Sequence, residues 1–184
     1  MRARHVTAAT AAALALTALA VPASWAADAT PAALPRCAEK DLTVRAGLSD
    51  DTEGVLDLSV RNDAAKACLV DRVPTVVYGD LDGAALPLPT VPHGGYTLGA
   101  QDTAYAAVRS VSDSADAAKE ARTVMYVTVS AVPDHDGRRF PALNLGAPAG
   151  VQVWEPVTTL WQSSPARAEQ VLTEQVSGQG KLAV

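Results

Sequence analysis

Cys37-Ala38-Glu39-Lys40-Asp41-Leu42-Thr43-Val44-Arg45 and Val55-Leu56-Asp57-Leu58-Ser59-Val60-Arg61-Asn62, continued by Asp63-Ala64-Ala65-Lys66-Ala67-Cys68, hold both cysteines of the chain and two runs of alternating polarity. Leu42 and Val44 alternate with polar neighbours, and Leu56, Leu58 and Val60 alternate with Asp57, Ser59 and Arg61. Alternation with period two is the pattern of a strand that buries one face. Asn62 and Asp63 close the second run, because their short polar side chains bond nearby backbone and tolerate turn geometry. Two cysteines allow one intramolecular pairing, Cys37 with Cys68, with an intermolecular bridge as the alternative. Closing that loop removes chain entropy equivalent to roughly 3–4 kcal/mol. This is a large share of what holds a typical domain together. The stretch therefore predicts a stapled β-domain.

Outward from it, the N-terminus has the form of a secretory signal peptide. Arg2 and Arg4 precede an Ala/Leu-rich run from Val6 to Val21, and Ser24-Trp25-Ala26 places small residues where a signal peptidase reads. The run is short for a membrane span. Cleavage is expected after Ala26, leaving 158 of the 184 residues, a length that suits one domain. Cys37 lies well downstream of the run and directly behind Arg36, so it reads as half of a disulfide rather than as a lipid attachment site. The whole chain has a formal charge of −5, and without Arg2 and Arg4 13 basic residues face 20 acidic ones, giving −7. This balance argues against nucleic acid and anionic lipid as partners and fits a soluble exported protein.

Residues 27–36, with two prolines and no periodicity, read as a flexible leader. Leu69 to Tyr78 reads as one strand kinked at Pro74, and Asp82-Gly83 as a hairpin turn before Ala84 to Leu88. Ala104, Ala106 and Val108 share a face of a strand over 103–111. Residues 112–121 fit either a loop or a single helical turn. Arg122 to Val132 gives the clearest strand, with Met125, Val127, Val129 and Ala131 on one face and Tyr126, Thr128 and Ser130 on the other. A second turn at Asp136-Gly137, short strands over 140–145 and 151–154, and an extended run over 157–161 follow. Trp154 and Trp161 are expected to pack against the sandwich. Ser164-Pro165 then provides a cap and first-turn proline for a short C-terminal helix within 162–184. About seven or eight short strands separated by turn signals indicate an all-β, immunoglobulin-like antiparallel sandwich over 37–161, with a jelly roll as the alternative.

Cys37, the strand from Asp41 to Val44, the strand ending at Asn62, and Cys68 before a proline-kinked strand resemble the secreted actinobacterial domain of unknown function 4232 family. Leu98-Gly99-Ala100-Gln101-Asp102-Thr103-Ala104-Tyr105-Ala106 is similar to that family's turn and alanine-alternating strand. Val151-Gln152-Val153-Trp154-Glu155-Pro156 is similar to its last strand and terminal proline. The chain departs from the family pattern in lacking a second cysteine pair and the Gly-Tyr before Pro74. The resemblance implies an exported immunoglobulin-like domain and brings no catalytic residue with it.

The remaining chemistry is sparse. A serine hydrolase would need His93 or His135 as base, but no Gly-x-Ser-x-Gly elbow occurs, so His93-Gly94-Gly95 reads as a loop rather than an oxyanion element. Asp80-Leu81-Asp82-Gly83 and Asp134-His135-Asp136-Gly137 resemble the start of a calcium loop without its later glutamate, and hairpin turns use the same residues. Asp50-Asp51 and Arg138-Arg139 read as solvated turns. Tyr126 is the aromatic placed by its phase to serve a binding face. The expectation is a secreted, monomeric, non-catalytic domain without metal or cofactor that meets an unknown extracellular or envelope partner. An extracellular hydrolase using His93 or His135 and a weak calcium-binding module are the alternatives.

Overall fold

The computed structural model describes residues 33–90 and 94–179. The signal peptide read over 1–26, most of the leader segment and His93 lie outside the described residues. In chain order the elements are β1 (Leu42–Leu48), β2 (Val55–Asn62), β3 (Cys68–Asp71), β4 (Thr75–Tyr78), β5 (Leu86–Leu88), β6 (Gly95–Leu98) and β7 (Thr103–Arg109). They continue with α1 (Ala117–Glu120), β8 (Arg122–Val124), β9 (Tyr126–Ser130), β10 (Arg138–Pro141), α2 (Ala142–Leu145), β11 (Val151–Val153), β12 (Val157–Thr159) and α3 (Pro165–Gln179).

The larger sheet has the order β1-β2-β7-β12-β5, and a three-stranded sheet has the order β10-β9-β4. Two-stranded pairs, β11-β8 and β3-β6, complete the framework. Val44, Leu56, Leu58, Val60, Ala104, Ala106 and Val108 project from the larger sheet into one core with Val76, Tyr78, Val127, Val129 and Phe140. This is an all-β sandwich of immunoglobulin-like type, and the alternating residues of β1, β2 and β7 face inward as their period requires. The Cys37–Cys68 disulfide forms across a Cα separation of 4.9 Å, with both cysteines buried. Pro35 and Arg36, assigned by composition to the flexible leader, are tied to the same place. Leu69 N donates to Pro35 O at 2.8 Å, and Arg36 pairs with Asp71.

The structure has twelve strands where the sequence suggests seven or eight: two runs break, a third is cut short, and β6, not read in the sequence, pairs with β3. Pro74 divides the kinked strand into β3 and β4, which pair in different sheets. The long strand over 122–132 breaks at Met125. Val124 and Val127 both point inward, so two residues rather than one separate them, in the manner of a bulge. Met125 is therefore 60% exposed instead of sharing the buried face of Val127 and Val129. The strand read over 140–145 ends at Pro141, and Ala142–Leu145 is a helical turn.

The pairing is antiparallel except for β5, which runs parallel to β12 rather than forming a simple hairpin with β4. Pro87 lies in this edge strand, where a residue without an N–H does not disturb a ladder and discourages further strand addition. Asp136-Gly137 joins the β9–β10 hairpin as read, with Gly137 at φ 75°, whereas Asp82-Gly83, with Gly83 at φ 93°, bends the chain between strands of different sheets rather than closing a hairpin.

The outer face of the larger sheet carries α3. Ser164 caps this helix as its sequence predicts, with its Oγ accepting from Arg167 N at 3.3 Å. Ala168 and Leu172 pack on Val55, Leu88, Ala107 and Val157. Burial of a leucine or valine side chain contributes roughly 1.5–3 kcal/mol, so the helix docks through few but sufficient residues. α3 covers the outer face at β7 and β12, while Arg45 of β1, Arg61 of β2 and Leu86 of β5 stay exposed.

Candidate functional site

Tyr126 lies on the three-stranded sheet, opposite Pro141 of β10, on the face directed away from the core. Its Oη donates to Asp80 Oδ1 at 2.6 Å, and this hydrogen bond raises the phenol's pKa above its ordinary value. The Arg139 guanidinium sits 4.1 Å from the ring centroid, a cation–π stack. Among the described residues Arg139 has no carboxylate within ion-pair distance. Met125 O accepts from Ala142 N at 2.8 Å, which ties the bulge to the start of α2, and the exposed Met125 side chain has its sulfur near Gly150. Arg138 and Arg139, read as solvated turn residues, are instead part of β10. Arg138 stacks on Phe140 and donates to Val44 O across the sandwich. The alternation pattern placed Tyr126 on the outward face of this strand. It missed Met125, since nothing in an uninterrupted apolar rhythm marks where a bulge reverses its phase.

The sequence-level catalytic and metal candidates occupy turns. His135 N donates to Val132 O, and Gly137 N donates to Glu39 Oε1 at 2.9 Å, which ties this turn to the start of the domain. His135 shares a cleft of about 110 Å³ with Ser130, but the Ser130 hydroxyl donates to Val132 O. No side-chain hydrogen bond reaches His135 among the described residues. Asp80 is engaged by Tyr126. Among the described residues no group of three or more His, Cys, Asp or Glu is placed to hold a metal ion.

Buried polar side chains serve the backbone. Asn62, fully buried at the end of β2, donates through Nδ2 to Lys66 O and Gly99 O at 2.9 Å and to Leu98 O at 3.3 Å. Its Oδ1 accepts from Ala64 N at 3.0 Å. One amide thus joins the segment leading to Cys68 with the turn before β7. Thr159 Oγ1 accepts from Ala107 N, and Ser110 Oγ donates to Gly54 O.

A second surface, which no sequence motif marks, is a pair of adjoining clefts. One, of 280 Å³, is lined by Tyr78, Leu81, Asp82, Arg122, Trp154 and Glu155 among others. Its neighbour, of 640 Å³, shares Ala84, Glu155 and Pro156 and continues along β5 to Arg109. Glu155 has φ 46°, an uncommon backbone conformation for a residue with a side chain. Ser112 Oγ donates to its Oε2 at 2.9 Å. Trp154, expected to pack on the sandwich, is half-buried at the cleft, while Trp161 is buried in the core.

The family model described as Domain of unknown function (DUF4232) matches residues 37–162. The chain belongs to the DUF4232 family. No curated protein and no solved structure matches it. The DUF4232 match runs from the first cysteine to Gln162, whose backbone pairs with Tyr105 of β7. It therefore spans the disulfide, Asn62, the Tyr126 face and both clefts, while α3 follows it.

Proposed function

We propose that this DUF4232 domain is an exported, non-catalytic recognition module whose Tyr126 face meets an extracellular protein partner. The observation that carries the reading is the outward face of β9, where the Arg139 guanidinium stacks on the Tyr126 ring. Arg139 has no carboxylate within ion-pair distance among the described residues, and Met125, next to Tyr126 in the chain, is 60% exposed. Exposed apolar groups gathered beside polar ones mark interaction surfaces, and aromatic and arginine side chains are the usual anchors. The partner segment would offer an apolar side chain and a carboxylate, complementing the exposed Met125 and the Arg139 guanidinium.

Export is supported by the N-terminal pattern of Arg2, Arg4 and the apolar run to Val21, and by a buried disulfide that suits an oxidising compartment. No helix of the described residues is long and apolar enough to cross a membrane. A non-catalytic role is supported by the engagement of Ser110, Ser130 and Thr159 with backbone groups.

The test is affinity capture of the mature chain against envelope and culture fractions of its host, repeated with Met125→Asp and Arg139→Glu variants that retain the parent unfolding curve. A saturable protein partner lost in both variants supports the reading. Equal capture by parent and variants refutes it. Hydrolysis of an ester, peptide or glycoside panel that disappears in His135→Ala would replace it with the enzymatic alternative. A chelator-reversible rise in Tm with calcium would favour the metal-binding one.

A further inference from the structure

We propose that the cleft beside Trp154 is a binding site for a neutral oligosaccharide, separate from the Tyr126 face. The cleft's volume of 280 Å³ lies near the lower end of ligand pockets, about 300–1,000 Å³. The adjoining 640 Å³ cleft, behind a shared wall of Ala84, Glu155 and Pro156, leaves room for further sugar units. Leu81, Ala84, Val153 and Pro156 make part of the lining apolar, and Trp154 adds a flat indole. A pyranose has the matching character: one face of C–H groups that covers an aromatic plane, and a rim of hydroxyls that both donate and accept.

The polar groups fit a polyol better than an ion. Asp82 and Glu155 offer carboxylate acceptors, and Arg122 offers guanidinium donors in the same cleft. None of the three forms an ion pair with another among the described residues. An anionic ligand would meet the two carboxylates and a cationic one the guanidinium, whereas neutral hydroxyls are served by both. Tyr78 supplies an independent observation. It lines the cleft, is only 2% exposed, and its hydroxyl has no hydrogen-bond partner among the described residues. A buried phenol normally finds a partner, and a sugar hydroxyl would provide one.

The site is also held in shape. Trp154 Nε1 donates to Ser114 Oγ at 3.2 Å, which orients the indole. Ser112 Oγ lies 3.2 Å from the same oxygen and donates to Glu155. The aromatic platform and the carboxylate are thus braced by one serine pair, the kind of support that reduces the ordering cost of binding.

The experiment titrates the mature chain with neutral hexasaccharides of glucose, mannose and N-acetylglucosamine, followed by calorimetry and tryptophan emission. At least one is expected to bind saturably, with affinity weakened at least about tenfold by Trp154→Ala and by Glu155→Gln. Arg122→Ala, an exposed position, gives the same readout if Trp154→Ala does not fold. Arg45→Ala, at an exposed position of β1 outside both surfaces, is expected to leave sugar binding unchanged. No binding of any hexasaccharide at about 10 mM, binding indifferent to the Trp154, Glu155 and Arg122 variants, or preferential binding of dodecanoate in the same cleft would each overturn the proposal.

Discussion

Replacing Asn62 with alanine should destabilise the domain by about 3 kcal/mol, although the change removes only a carboxamide. The side chain is fully buried and makes two 2.9 Å bonds to the Lys66 and Gly99 carbonyls, a longer one to Leu98 O, and one received from Ala64 N. A neutral hydrogen bond contributes about 1 kcal/mol net, and a buried group left without a partner costs about 1–3 kcal/mol. Loss of the two short donations and of the Ala64 bond therefore gives roughly 3 kcal/mol, the lower bound of those summed costs. For a domain of this size that is a fall in Tm of roughly 6–12 °C. The control is Gln101→Ala, which removes bonds to the Asp63 and Ala64 carbonyls at an exposed site and should cost under about 1 kcal/mol. Urea unfolding of the oxidised proteins measures both. A loss below about 0.5 kcal/mol for Asn62→Ala would refute the reasoning, since it would mean that water or a local shift replaces the amide. Asn62 bonds the carbonyl of Lys66, two residues before Cys68, so its effect should also be non-additive with loss of the disulfide.

Reduction of Cys37–Cys68, which spans 31 residues, should lower stability by roughly 3–4 kcal/mol in urea unfolding with and without reductant, and thiol titration before reduction should find no free cysteine. Leu172→Ala should cost about 2–4 kcal/mol, because it empties space between α3 and the outer face of the larger sheet; an unchanged unfolding midpoint would show that the helix does not dock in solution. Asp57 is half-buried, and burial, followed by the nearby Glu169 carboxylate, raises its pKa. Its folded pKa is above the unfolded value of about 3.9, so the stability it contributes is fully present below that value and is lost as pH rises through the folded value. Asp57→Asn should therefore be more stable than the parent at neutral pH and flatter across that acidic window, as read by Tm against pH; parallel curves would contradict the assignment.

The alternating residues of β1, β2 and β7 determine their own inward faces, because a strand's side-chain period is independent of its neighbours. The same independence makes Asn62, the two Asp-Gly turns and the Ser164-Pro165 helix start legible, since each bonds or bends backbone within a few residues. Tyr126 was legible as a surface aromatic for this reason, while Met125 was not, because a bulge alters phase without altering composition. The clefts were invisible for a different reason. Tyr78, Ser112, Arg122 and Trp154 come from segments tens of residues apart, and no spacing rule relates them until β4, β8, β11 and the approach to β12 are packed together.

The sequence by itself thus determined a stapled, all-β sandwich with a capped terminal helix, because those features rest on local periodicity, turn chemistry and one available cysteine pair. Tertiary structure decided that β5 lies parallel beside β12, that α3 packs on the outer face of β7 and β12, and that a bulge leaves Met125 exposed beside Tyr126 in the chain. Strand order and helix docking depend on which apolar faces meet across the whole chain, and several arrangements satisfy the same local pattern until the core is packed.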